Sequence, residues 1–201
     1  RVGGNIINQY IRTDGDKEYL NLLIALSEGE VESIDSIEVN ENPSTNFDGI
    51  TLTKRYGTNT QTQIPNFNDS HDLKSLSANL TKNNAYIYTT TNDDITAFEL
   101  HLTCVGGLFQ SSGANIISWA VTYKVEYSPA GENNYTDLGS TTIDGKSRTD
   151  IRRVFRKDGL TAGQYDIRIT RTSDDSELDP IKQGDLYLKG VDEIAQAEPL
   201  V

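Results

Sequence analysis

The chain has 201 residues, 35% apolar and 24% charged, with a net charge of −12, one cysteine and two histidines. That length buries a real core in one or two domains, and the mix of Thr, Asn, Asp, Ser and Tyr excludes a disordered chain. The acidic balance argues against specific nucleic-acid binding, which needs positive charge to displace phosphate counterions, and no apolar run is long enough to insert in a membrane.

Residues 1–13 read as an extended arm carrying Ile6, Ile7, Tyr10 and Ile11, which adds to a sheet or lies on a neighbour. Asp14-Gly15-Asp16 makes a turn. Leu20–Ser27 is almost wholly apolar and stops at Ser27-Glu28-Gly29, which predicts a buried strand ending in a glycine corner. A short helix is the competing reading, and Gly29 after so few residues favours the strand. An acidic half-exposed strand through Glu30 and Glu32 then leads to a tight hairpin turn at Asn40-Glu41-Asn42-Pro43. Residues 50–56 alternate with a strand's period of two. The polar stretch 59–84, with Pro65 inside it, is expected to be mainly loop, of the long kind that is functional or ordered by a neighbour. Residues 85–90 form another strand.

After Asn92-Asp93-Asp94 the pattern sharpens. Phe98, Leu100, Leu102 and Cys104 alternate with Ala97, Glu99, His101 and Thr103; Trp119, Val121, Tyr123, Val125 and Tyr127 alternate with Ala120, Thr122, Lys124 and Glu126. Turns at 131–134 and at Asp144-Gly145, a strong hairpin signal, separate further strands over 135–143, 152–156 and 165–170. Regular short strands with turns between them predict a β-sandwich. Leu160, five residues before Tyr165, has the spacing of a tyrosine corner, which narrows the sandwich to the fibronectin type III or immunoglobulin-like kind. Residues 174–184 read as loop and 185–194 as a last strand.

Three segments carry a family resemblance. They are Tyr19–Pro43 with its Ser-Glu-Gly corner and Ile-x-Val-Asn-x-x-Pro hairpin, Gly49–Gln63, and Tyr165–Arg171 followed by an Asp/Ser-rich loop. In this order they resemble the start of the central tail-tip proteins of lambda-like phages, the host-specificity or tip attachment family. The resemblance implies an all-β chain: a hub-type β-barrel or sheet domain, residues 1–93 plus 176–201, interrupted by a fibronectin type III or immunoglobulin-like sandwich, residues 94–175. It implies a structural role in the tail tip of a phage or prophage virion, as a trimeric hub that closes the tail tube and joins other tail-tip proteins. Host-receptor contact is expected in distal parts of a longer chain. Starting at Arg1 and lacking Met, the sequence itself reads as a piece of something longer.

Charge is unevenly spread. Acids crowd 14–48, including Glu28, Glu30 and Glu32, while bases crowd 146–171, including Arg152, Arg153 and Arg156. The plain expectation is two solvated faces; the sharper one is complementary docking faces, with these residues and the arm as the assembly interface. Acids lining a tube would repel DNA phosphates. No enzyme activity, cofactor or metal is expected. There is no nucleophile elbow or phosphate-cradling loop, His71 reads as a loop residue and His101 as a surface one, and the Asp-rich turns lack the spacing of a calcium loop. The alternative function is a carbohydrate- or protein-binding module of a surface or secreted protein, in which Tyr86, Tyr88, Trp119, Tyr123 and Tyr127 would include exposed stacking aromatics.

Overall fold

The computed structural model describes residues 3–14, 17–62, 64, 67, 69–176 and 182–196. Among them are strands, turns and one short 3-10 turn at Ser44–Asn46, with no α-helix. The expected all-β class therefore holds. The chain divides into two units, the first built around residues 3–12 and 19–67 and the second around residues 69–196.

The first unit carries two small open sheets, and among the described residues no sheet closes into a barrel. Strands β1 (Asn5–Asp14) and β2 (Lys17–Ala25) form one, β3 (Glu38–Val39) and β4 (Asn42–Pro43) the other. The β3–β4 turn is as predicted: Asn40 and Glu41 both have positive φ, +49° and +67°, the type I′ geometry that follows strand twist. The expected turn residues Gly15 and Asp16, like Pro65, lie outside the described residues. The apolar run is a strand, not a helix, but it is not buried: Leu20, Leu22, Ile24 and Leu26 are all exposed. Two further expectations are corrected. Residues 31–37 and 50–56 form no strand, because they share a single backbone bond, Val31 N to Tyr56 O, and are otherwise tied by side chains such as Lys54 Nζ to Ile34 O. An alternating pattern without a partner edge makes no ladder.

The second unit is a sandwich. One sheet orders β10 (Thr136–Gly145), β9 (Trp119–Pro129), β12 (Tyr165–Arg171) and β6 (Ala85–Thr89). The other orders β11 (Ile151–Lys157), β7 (Ile95–Ser112), β13 (Lys182–Gln196) and β5 (Asp69–Leu80), with β8 (Asn115–Ile117) paired to β7. The core joins the inward faces: Phe98, Leu100, Leu102 and Cys104 of β7, Val121, Tyr123 and Val125 of β9, Ile167 and Ile169 of β12, and Leu186, Leu188 and Val191 of β13. These are the faces that period-two alternation picks out. Burial pushes the Cys104 thiol up to about 11, so it behaves as a small core hydrophobe. The tyrosine corner forms as expected: Tyr165 Oη donates to Thr161 O at 2.5 Å, and Leu160 is buried beside it.

Three sandwich expectations are revised. The stretch expected as loop contains β5, whose Leu76, Ala78 and Leu80 turn inward while Ser75, Ser77 and Asn79 turn outward. Its small polar residues hide the alternation, and pairing with β13 overrides their weak strand preference. β13 is also not grouped with the opening strands. It runs antiparallel between β7 and β5 in the middle of the sheet, because its apolar residues Leu186, Leu188 and Val191 must complete the core. The sandwich therefore reaches from β5 to β13, beyond the expected bounds of 94 and 175. Finally, Asp144-Gly145 is no hairpin turn; both residues pair with Ala120 and Trp119. Gly145 serves close approach instead, since a Cβ there would lie 2.3 Å from Ile151 Cδ1.

Candidate assembly surface

Hairpin β1–β2 concentrates the exposed apolar surface of the first unit. Ile6, Ile7 and Ile11 of β1 and Tyr19, Leu20, Leu22 and Ile24 of β2 are exposed, Ile7 by 62% and Leu20 by 63%. Ile6 and Ile7 are sequence neighbours on a strand, so apolar side chains leave both faces of the ribbon. Gly4 permits this ribbon to form tightly, because a Cβ there would fall 2.2 Å from Ile24 Cγ2. Tyr10 is held differently from the other arm residues. Its ring meets Phe67 edge-on at 5.2 Å, and the neighbouring Asn8 amide donates to Phe67 O at 3.1 Å. A two-stranded ribbon is marginal in water by itself. One that leaves apolar residues exposed on both faces is the candidate surface for a partner to cover.

Glu28, Glu30 and Glu32 are all exposed on the segment after β2. Gly57, at φ +84°, lies against the backbone of Gly29 and Glu30, which holds this acidic corner in place.

The three arginines do not act alike. Arg152 is exposed, and Arg153 donates to Arg152 O. Arg156 is 5% exposed and is spent internally: it donates to Glu99 Oε1 at 2.8 Å and to Asp158 Oδ1 at 2.7 Å, with Asp69 Oδ2 at 3.7 Å. Burial of this guanidinium is outweighed by those carboxylates, which raise its pKa. A residue so paired is a brace of its own sheet and has little left to offer a partner.

Three polar arrangements escaped the sequence reading. Arg171 is 1% exposed and gives its donors to backbone carbonyls, Gly184 O at 2.8 Å and Asp174 O at 2.5 Å. Glu193, also 1% exposed, faces the sandwich end and accepts from Tyr88 Oη at 2.5 Å and from the backbone N–H groups of Thr91 and Asn92 at 2.8 and 2.9 Å. Burial and this carboxylate together push the Tyr88 phenol well up. The third is on the outer face of the β11-β7-β13-β5 sheet. His71 is a strand residue of β5 bonded to Asp192, and His101 stands beside Glu99 on β7. No local signal marks the first two; two histidines in an acidic chain were the only hint of the third.

The aromatics of the binding-module alternative are built into the sandwich. Tyr123 is in the core, and Tyr86, Tyr88, Trp119 and Tyr127 are half-buried against it. They offer no exposed row for stacking on a sugar.

A family model described as "Tip attachment protein J, FNIII-A domain" matches residues 71–197, which runs from β5 to the end of β13. The tip attachment protein J of Escherichia phage SECphi27 is 26% identical over 170 residues, covering 78% of this chain. The chain spans only 14% of that relative's length. A structure of infectious bursal disease virus, Gx strain, aligns with a TM-score of 0.32 at 11% identity, covering 75% of this chain and 38% of that one. That likeness is too slight to carry any argument.

Proposed function

The chain belongs to the tip attachment protein J family, and from that premise we propose that it is a structural, non-enzymatic segment of a phage or prophage tail tip. In this reading it helps form a trimeric hub that closes the tail tube, contacts other tail-tip proteins, and is continued by distal segments that meet the host receptor. The observation that carries the reading is hairpin β1–β2, whose apolar residues lie bare on both faces. Covering each such half-exposed side chain is worth about 1 kcal/mol, so a partner strand or a second copy that covers several of them stabilises the ribbon.

The test is made in the complete tail protein, encoded by its phage. Replacing Leu20 and Leu22 with Asp leaves the sandwich core untouched and is expected to abolish tail assembly, lowering infectious titre by orders of magnitude. Wild-type titre from that double variant would remove the hairpin from the assembly interface. For Glu28, Glu30 and Glu32 the proposed role is lining the tube, where like charge keeps DNA phosphates from adhering. Their replacement with Lys is expected to slow DNA ejection at low salt, where unscreened attraction is strongest. Unchanged ejection would refute the lining role while leaving the assembly role intact.

A further inference from the structure

On the outer face of the β11-β7-β13-β5 sheet, three side chains converge. Glu99 and His101 are two residues apart on β7 and so share a face, and Asp192 of β13 stands directly across from Glu99. Their ligand atoms all lie within 4.8 Å of one another. Across from His101 the partner residue is Gly190, at a bulge in β13, and the Leu73 side chain of β5 reaches the space that a Cβ there would take.

Each carboxylate is held by one oxygen and leaves the other free. Arg156 donates to Glu99 Oε1 at 2.8 Å, and Glu99 Oε2 lies 3.7 Å from His101 Nε2. His71 Nδ1 donates to Asp192 Oδ2 at 2.7 Å. Asp192 is more than nine-tenths buried, yet its Oδ1 has no hydrogen-bond partner, and neither does the buried His101 Nε2. Buried polar atoms are rarely left unpaired, and two orphans in one small cluster call for a shared ligand. A donor facing an acceptor would settle as a hydrogen bond; a cation satisfies an imidazole nitrogen and two carboxylate oxygens together.

We infer that Glu99, His101 and Asp192 form a binding site for a divalent transition-metal ion of the Zn²⁺ type, bridging β7 and β13. An imidazole with two carboxylates suits an ion of borderline softness, whereas Ca²⁺ wants six or more oxygens and Mg²⁺ an octahedron of them. Tetrahedral Zn²⁺ bonds of about 2.0–2.2 Å put ligand atoms roughly 3.4 Å apart, near the observed His101–Glu99 separation, with water completing the shell. His71 and Arg156 are positioning residues that orient the two carboxylates. The His101 side chain is partly open to solvent, which provides an entry path. Bridging the two central strands of the sheet gives the ion a structural role and needs no chemistry from it. This inference stands apart from the tail-tip reading, since neither the hairpin nor the acidic corner contributes to it.

The test is titration of the full chain with ZnCl₂ in excess MgCl₂, which occupies adventitious carboxylates, read by calorimetry and by NMR of the two histidine rings. Saturable one-to-one binding is expected, with the His101 ring signals moving and Tm rising by several degrees at 100-fold excess over Kd. His101→Gln and Asp192→Asn are expected to abolish binding, and His71→Ala to weaken it by about tenfold or more without abolishing it. No saturable binding, or binding that survives both His101→Gln and Asp192→Asn, overturns the site. If either variant fails to fold, the wild-type spectra decide: Zn²⁺ bound with the His101 ring unmoved is equally fatal.

Discussion

Glu193 gives the sharpest energetic test of the sandwich. Its buried carboxylate accepts from Tyr88 Oη, Thr91 N and Asn92 N, and Thr91 Oγ1 lies 3.1 Å from Oε2. Hydrogen bonds to a charged group contribute about 1.5–3 kcal/mol each, but they are not additive, and the Thr91–Asn92 turn is open enough to recover water. Glu193→Ala should therefore cost about 3 kcal/mol, mostly through the Tyr88 hydroxyl and the turn it anchors. For a chain of this size that lowers Tm by roughly 6–12 °C. Glu193→Gln keeps the volume but turns an N–H₂ group toward backbone donors, for about 1–3 kcal/mol, while Tyr88→Phe removes one bond for about 1–2 kcal/mol. Urea unfolding followed by Trp119 fluorescence measures all three, and the double variant Tyr88→Phe/Glu193→Gln completes a cycle. A coupling of about 1 kcal/mol is expected from direct contact. A Glu193→Gln variant within about 0.5 kcal/mol of wild type would refute the reasoning, since surface substitutions alone reach that size.

Other outcomes follow from the same geometry. Gly107→Ala should destabilise by about 3 kcal/mol or more, because φ is +105° and a Cβ would fall 2.2 Å from Ser147 O; thermal unfolding checks it, and a loss below about 1 kcal/mol contradicts the backbone contact. Tyr165→Phe deletes the bond to Thr161 O and should cost about 1–2 kcal/mol in the same assay; an unchanged midpoint would mean the corner is held by packing alone. Arg168 grips Glu126 through two bonds of 2.8 Å, and these hold the Glu126 carboxyl below its ordinary value. With the folded pKa depressed, that stabilisation is complete above the unfolded carboxylate pKa of about 4.3 and is lost as pH falls through the folded value. The stability gap between wild type and Arg168→Gln, about 1 kcal/mol at pH 7, should narrow as pH falls through the carboxylate range, leaving the stacking of Arg168 on Tyr135; a gap independent of pH would discount the ion pair.

Assembly has different support from the one the motifs suggested. A framework shared by the two ends of the chain is absent from the described residues, because β13 lies inside the sandwich sheet. What supports assembly is the bare hairpin together with family membership. Of the residues singled out in advance, Ile6, Ile7, Ile11 and the three glutamates are exposed, Tyr10 is held by Phe67, and Arg156 is consumed by its own sheet.

Local chemistry was enough to read some features directly from the sequence. Alternation picked out Phe98, Leu100 and Leu102 as one apolar face and Val121, Tyr123 and Val125 as another, the Asn40-Glu41 pair made its turn, and Leu160 to Tyr165 made its corner, because each depends on neighbours a few residues away. Tertiary structure alone decided the exposure of β2, the existence of β5, the place of β13, and the meeting of His71, His101, Glu99 and Asp192. Those depend on which distant edge a strand finds. Leu20–Leu26 has the same sequence whether a sheet covers it or not, and a Ser-rich strand becomes one only when β13 supplies its ladder. Burial and convergence are properties of pairings about a hundred residues apart, such as His71 with Asp192, and no local pattern encodes them.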